Sequence, residues 1–205
     1  MATGLYANVC FVARSKSGKT TALKKVLPKL KGFFKVLMSN VEKYDPEHKP
    51  GMFNEKLEYS DAGWDRLASL ITVQKELFRR GHKKNKLLVV LDDAISDNYR
   101  PKFIAECLSQ CRHYNCKFIV FTQHVTSSLS PAARANIHIW MVGQVSRETL
   151  EYIYPATNFN DRSEMWEEYQ GATKKYHFWR LNSADLPDPP RVISSGSVEL
   201  MDVCE

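Results

Sequence analysis

The sequence lacks any apolar run approaching the roughly 20 residues that a bilayer span requires, and its strongest runs, such as Leu87–Leu91, end after a few positions. No charged-then-apolar leader opens the chain. A soluble protein that stays in the compartment where it is made is therefore expected. There is no CxxC pair, and the five cysteines are an odd count. Cys107, Cys111 and Cys116 beside His113 resemble a zinc site in composition, but buried reduced thiols of an intracellular protein fit the spacing better. No internal repeat or low-complexity tract is present, which sets solenoid architectures aside. Acid is also missing over one long stretch. Between Arg14 and Lys35 the only charged residues are basic, namely Arg14, Lys16, Lys19, Lys24, Lys25, Lys29, Lys31 and Lys35.

What is present suits a single domain of moderate size. At 205 residues with 43% hydrophobic content, the chain can bury enough surface to fold without staples. The net charge of +6 is unevenly spread, with a second basic cluster at Arg79, Arg80, Lys83, Lys84 and Lys86. Such clusters bind polyphosphate by releasing its counterions, or else form solvated helix faces.

Asn8–Ala13 is too short and too β-branched for a helix and predicts a buried strand. A polar turn follows, then Leu23, Val26, Leu27 and Leu30 at helical spacing, with Pro28 placed to end the last turn. Phe33–Met38 predicts a second strand and Ser39–Lys56 a loop. Asp61–Arg80 carries a helical stripe of Trp64, Leu67, Leu70, Ile71, Val73 and Leu77, closed by Gly81. Leu87–Leu91 is aliphatic throughout, as a strand covered on both faces requires. Pro101–His113 predicts a helix, Lys117–Thr122 a strand, Ser130-Pro131 the start of a short helical turn, and Ile137–Val142 a fifth strand. Helices are expected at Arg147–Tyr154 and Glu164–Tyr169 and a strand at Tyr176–Leu181. The proline-rich stretch from Asp185 to Pro190 can continue neither. Residues 1–182 are thus expected to form the domain and 183–205 a C-terminal tail. The alternation predicts an α/β fold with a mostly parallel central sheet and helices on both faces.

The segment Ala13–Thr20, ARSKSGKT, matches GxxxxGK[ST] except at its first position, where Ala13 replaces glycine. Its strand-before, helix-after context is the one in which backbone N–H groups converge on a polyphosphate. Ser15, Lys16, Ser17, Gly18, Lys19, Thr20 and Thr21 are the candidate ATP-binding residues. Lys19 would reach the β- and γ-phosphates, and the Thr20 hydroxyl would ligate Mg²⁺. Ala13 is tolerable if its φ is negative. The aliphatic strand ending in Asp92 and Asp93 supplies a carboxylate for the metal, Asp92, and a candidate general base, Asp93, whose alternative role is to cap the following segment. The next strand ends at Gln123. In one branch of P-loop NTPases, the RecA/ASCE-like one, a strand lies between the phosphate-loop strand and the acid-bearing strand. Gln123 would there contact the γ-phosphate or the attacking water; otherwise it satisfies backbone groups at the sheet edge. Arg112 and Arg134 are candidates to stabilise charge on the transferred phosphoryl from a neighbouring subunit, or else form surface ion pairs.

These motifs in this order, ARSKSGKT, LLVVLDD, Cys111-Arg112-His113, Gln123 and Arg134-Ala135-Asn136, resemble the genome-packaging ATPases of large DNA viruses and of membrane-containing viruses, within the FtsK/HerA superfamily of DNA-pumping motors. The likeness runs from about Asn8 to Val142. It implies an ATP- and Mg²⁺-dependent translocase of double-stranded DNA, working as a homo-oligomeric ring of five or six subunits in host cytoplasm or virion, with capsid or internal-membrane proteins as further partners. Lys19 and Thr20 would then serve nucleotide and metal, Asp92 the metal, Asp93 proton abstraction and Gln123 sensing, with Arg112 or Arg134 as the finger. Arg79, Arg80, Lys83 and Lys84 are the candidate DNA contacts. Two rivals stay open. A small nucleotide kinase would need an arginine-rich lid, and a non-enzymatic module would bind ATP without turning it over. GTPase and ABC-type readings lack their [NT]KxD and LSGGQ segments.

Overall fold

The structure, a computed structural model, describes residues 6–40, 51–93, 100–157, 159–183, 190–199 and 201–203. The apolar runs become strands β1 (Val9–Val12), β2 (Phe33–Met38), β3 (Glu55–Leu57), β4 (Lys86–Leu91), β5 (Cys116–Thr122), β6 (Ile139–Val142), β7 (His177–Asn182) and β8 (Arg191–Ser194). They form one sheet of order β3-β2-β4-β5-β1-β6-β7-β8. The pairings among β1 to β6 are parallel, and β7 and β8 are added antiparallel.

Seven α-helices are described: α1 (Lys19–Val26), α2 (Asp61–Arg79), α3 (Pro101–Gln110), α4 (Val125–Ser128), α5 (Pro131–Arg134), α6 (Arg147–Ile153) and α7 (Arg162–Ala172). Side chains of a strand alternate between the two faces. Leu87, Val89 and Leu91 of β4 therefore enter a core with residues of α2 to α7. Leu88 and Val90 enter a second core with Ala22, Leu23 and Val26 of α1. On that second face Phe11 stacks on Phe121 at 4.8 Å and meets Phe178 edge-on at 5.3 Å. Both faces carry helices, and the central strands are covered on each side.

Local chemistry sets the helix ends. Ser60, Ser130 and Ser146 each accept a hydrogen bond from a backbone N–H three positions on, and Asp161 accepts two. Gly81, at φ 88°, follows the last turn of α2. The Lys35 ammonium donates to Leu27 O at 2.6 Å, satisfying a carbonyl beyond the end of α1.

The structure departs from the sequence expectations at several element ends: α1 stops at Val26, α3 stops at Gln110 with a 3₁₀ turn over Cys111–Tyr114, and β6 begins at Ile139. Glu55–Leu57, expected partly as loop, pairs with β2 as an edge strand; residues 41–50 of that loop lie outside the described set. The strand expected from Tyr176 begins at His177. The expected tail is built into the domain where it is described. β8 pairs with β7, and Val198 and Val203 are buried in the α1-side core. Two buried cations hold its end: Lys117 Nζ donates to Ala7 O at 2.7 Å and to Val203 O, and Arg180 Nε donates to Asp202 O at 3.0 Å. Most of the proline-rich stretch, residues 185–189, lies outside the described residues.

Candidate nucleotide-binding site

The loop between β1 and α1 rises from the middle of the sheet, because β1 is flanked by β5 and β6. Its first two residues are tied to the ends of both neighbours: Ala13 N donates to Thr122 O at 3.2 Å and Arg14 N to Gln144 O at 3.4 Å. Ala13 is fully buried and is not among the positive-φ residues, so its methyl group costs no backbone strain. The methyl needs space beside it, which Gly143 leaves. A Cβ at position 143 would stand 2.6 Å from Ala13 Cβ.

Lys16, at φ 58°, and Gly18, at φ 93°, both adopt left-handed backbone. Two such residues within three positions turn the chain tightly enough for its amides to line a concave anion site, and α1 begins at once with Lys19. The first amides of that helix have no intrahelical acceptor and carry the positive end of its dipole. The Ser17 hydroxyl is buried without a hydrogen-bond partner among the described residues. A buried hydroxyl ordinarily has a partner, and a phosphate oxygen would supply one. Lys19 Nζ donates to Ala13 O at 2.7 Å and Arg14 O at 2.9 Å, which holds the ammonium over the loop. Burial pushes its pKa below the ordinary lysine value, while the negative charges of Asp92 and Asp93 act in the opposite sense.

Both acids follow β4. Asp92 N donates to Met38 O at 2.8 Å, and Asp92 O accepts from the Tyr59 hydroxyl at 3.1 Å, so the strand end is fixed from two sides. Asp93 takes the left-handed conformation at φ 51°, which aspartate, like asparagine, adopts more readily than most side chains. Its Oδ1 accepts from Gln123 Nε2 at 3.4 Å. That meeting follows from topology: β5 lies between β1 and β4, so its end stands beside the loop and beside the acids. The segment that Asp93 was expected to cap in its alternative role, residues 94–99, lies outside the described set. Thr20 and Asp92 offer oxygen ligands of the kind a hard divalent cation takes, so the donor set fits Mg²⁺.

The arginines and the second basic cluster stand elsewhere. Arg112 precedes β5 and sits beside His138, with Nη1 to Nε2 at 3.1 Å. Arg134 closes α5 just before β6, donates to Leu129 O at 3.5 Å and lies 5.6 Å from the Tyr152 ring centroid. Both precede parallel strands, Arg112 before β5 and Arg134 before β6, toward the edge where those strands begin. Arg79, Arg80, Lys83 and Lys84 are exposed at that same edge, at the end of α2 and before β4. Arg80 pairs with Glu76 at 2.7 Å, and Arg79 lies 5.9 Å from the Tyr114 ring centroid.

Sequence reasoning did not single out Tyr59, Gly143, Tyr176 or Ser195, which also border the site. Ser195, at the end of β8, packs on the loop so closely that its Cβ and Oγ lie 2.7 Å from the position of a Cβ on Gly18. Their closeness depends on contacts across the sheet that no local periodicity encodes.

A parallel sheet with the phosphate-loop strand at its centre, an extra strand beside it, and acids and a glutamine gathered at one edge defines a P-loop ATPase fold. Residues 5–167 match the Poxvirus A32 protein family. The chain belongs to that family. No curated protein sequence matches it. Among solved structures, it is similar to the genome packaging NTPase B204 from Sulfolobus turreted icosahedral virus 2 in complex with AMPPCP, at a TM-score of 0.62 and 17% identity over 91% of this chain and 96% of that one. B204 from Sulfolobus turreted icosahedral virus, a DNA-packaging ATPase, gives 0.65 and 16% over 91% and 96%. EccC of Thermomonospora curvata, ATPases 2 and 3, gives 0.63 and 11% over 96% of this chain and 38% of that one.

Proposed function

We propose that the protein is an ATP-hydrolysing motor that moves double-stranded DNA in packaging a viral genome. The observation that carries the reading is the convergence of Lys19, Asp92, Asp93 and Gln123 on one phosphate loop. Family membership and likeness to packaging NTPases support the same conclusion.

In this reading Ser15 to Thr21 bind the triphosphate through loop amides and side chains, with the Lys19 ammonium on its β- and γ-oxygens. Thr20 and Asp92 hold Mg²⁺, which when bound neutralises phosphate charge. Asp93 accepts the proton of the attacking water at a carboxylate oxygen, and its hydrogen bond from Gln123 Nε2 links that water to the state of the γ-phosphate. Arg112 bonds His138 and Arg134 bonds Leu129, and neither is given a role on its own loop in this reading. Either reaches a phosphate by delivery from a neighbouring subunit, which a ring of five or six copies provides. The exposed Arg79, Arg80, Lys83 and Lys84 neutralise DNA phosphates without reading sequence. Host cytoplasm or virion is the place of action.

Steady-state ATPase assays with and without double-stranded DNA test the reading. Turnover stimulated by DNA is expected. Turnover that ignores DNA but responds to a nucleoside monophosphate identifies a kinase instead, and binding without turnover identifies a non-enzymatic module. For the finger, Arg112→Ala or Arg134→Ala abolishes hydrolysis with ATP binding intact, and mixing the inactive variant with Lys19→Ala restores activity. Full activity of both arginine variants removes the idea.

A further inference from the structure

A phosphate loop grips only the triphosphate, so the base of a bound nucleotide must lie on another surface. The ring of Tyr176 stands within van der Waals reach of the loop. Cδ1 of Tyr176 is 3.6 Å from the position of a Cβ on Gly18. Tyr176 is 47% exposed, although neighbouring Phe178 and Trp179 are buried.

Its backbone is unusual as well, since φ is 64°, a left-handed value that bulky residues rarely adopt. The conformation is imposed from both sides. Ser195 N donates to Tyr176 O at 2.8 Å, and His177 N donates to Lys174 O at 3.1 Å. The chain thus accepts backbone strain while leaving a large apolar ring in solvent beside the phosphate loop. Strain held in place by surrounding structure is a pointer to a functional constraint. Lys175 Nζ lies 5.0 Å from the centroid of the same ring and adds positive charge at that position.

We infer that Tyr176 is the stacking platform for the base of the nucleoside triphosphate, a role that rests on the assignment of Ala13–Thr20 to its phosphates. Every nucleobase has a π-face, and an aromatic side chain stacks on it without needing a particular edge. Ser195 acts as the positioning residue. It touches Gly18 and fixes the Tyr176 backbone, so loop and platform keep one spacing.

The test is calorimetric titration of the full chain and of Tyr176→Ala, Tyr176→Phe and Tyr176→Trp with Mg·ATP and, separately, with magnesium tripolyphosphate, which carries the phosphates and no base. Tyr176→Ala is expected to lose ATP affinity about tenfold or more and to keep tripolyphosphate affinity, while Tyr176→Phe binds both like the parent. Tyr176→Trp is expected to show fluorescence quenched by ATP and unaffected by tripolyphosphate. Unchanged ATP affinity in Tyr176→Ala, or equal loss for both ligands, overturns the platform, the second result assigning Tyr176 to loop geometry. If the parent binds neither ligand, the phosphate site itself is wrong.

Discussion

The two edges of the parallel sheet differ in what they ask of the chain. Where the strands end, the backbone is bent into left-handed conformations at Lys16, Gly18 and Asp93, and side chains point at one another across short distances. Where the strands begin, Arg79, Arg80, Lys83, Lys84 and Arg112 face solvent, with rim contacts such as Arg80 to Glu76. The first edge is built for geometry and the second for charge. Chemistry that breaks a bond needs preorganised groups, whereas contact with a polyanion needs positive charge more than exact placement. The segment from Ser194 to Val203 joins the two, touching Gly18 at one end and Lys117 at the other.

The contrast can be broken by substitutions. The largest effect is expected from Asp93→Asn, which should cut kcat on the order of 10² to 10⁴ with ATP affinity little changed; near-normal turnover would remove Asp93 from proton transfer. Lys19→Ala should lower kcat/KM on the order of 10² to 10³, read from steady-state kinetics. Truncation after Ser195 removes buried Val198 and Val203 and the carbonyls that receive Lys117 and Arg180. Loss of each carbonyl partner to a buried cation should cost about 1.5–3 kcal/mol, measured by urea unfolding. A truncated chain as stable as the parent would mean that this segment does not brace the sheet.

Changing Arg79, Arg80, Lys83 and Lys84 together to alanine should leave basal ATPase intact, weaken DNA binding and flatten its dependence on salt by about one slope unit per lost contact. An unchanged slope relocates the DNA surface. The smallest effect is a pH one. Triphosphate binding requires the Lys19 ammonium, whose free-state pKa is lowered by burial, and the negative charge of a bound phosphate would raise it again. Affinity is therefore full below the free-state pKa and falls as pH rises through it, in a window that opens below the ordinary value of 10.5. Titrations from neutral to alkaline pH check this against Lys19→Arg, which stays charged throughout.

The site was legible where chemistry fixes spacing. GKT after a strand, two acids ending an aliphatic strand, and Gln123 ending the next all lie in segments whose residue types state their own environment. The central strands were legible because burial on both faces leaves no polar residue within Leu87–Leu91. β3 was not, because three half-buried residues at an edge carry no pattern. The fate of the C-terminal segment was hidden for a different reason. Its partners Lys117 and Arg180 are charged residues in strand segments, and only the fold shows that both are buried and donate to distant carbonyls. The basic run from Arg14 to Lys35 likewise mixes uses that composition cannot separate: Lys19 serves the loop and Lys35 caps the end of α1.

The alanine that opens the phosphate loop shares one methyl's worth of room with Gly143. Positions 13 and 143 therefore behave as a single steric allele, in which the departure from the loop's usual first residue is licensed by a glycine at the end of the adjacent strand. Glycine at 13 leaves room for a methyl at 143, where the Phe178 ring stands 3.4 Å away, whereas a methyl added at 143 with Ala13 in place clashes, so a change at 13 is expected to precede one at 143.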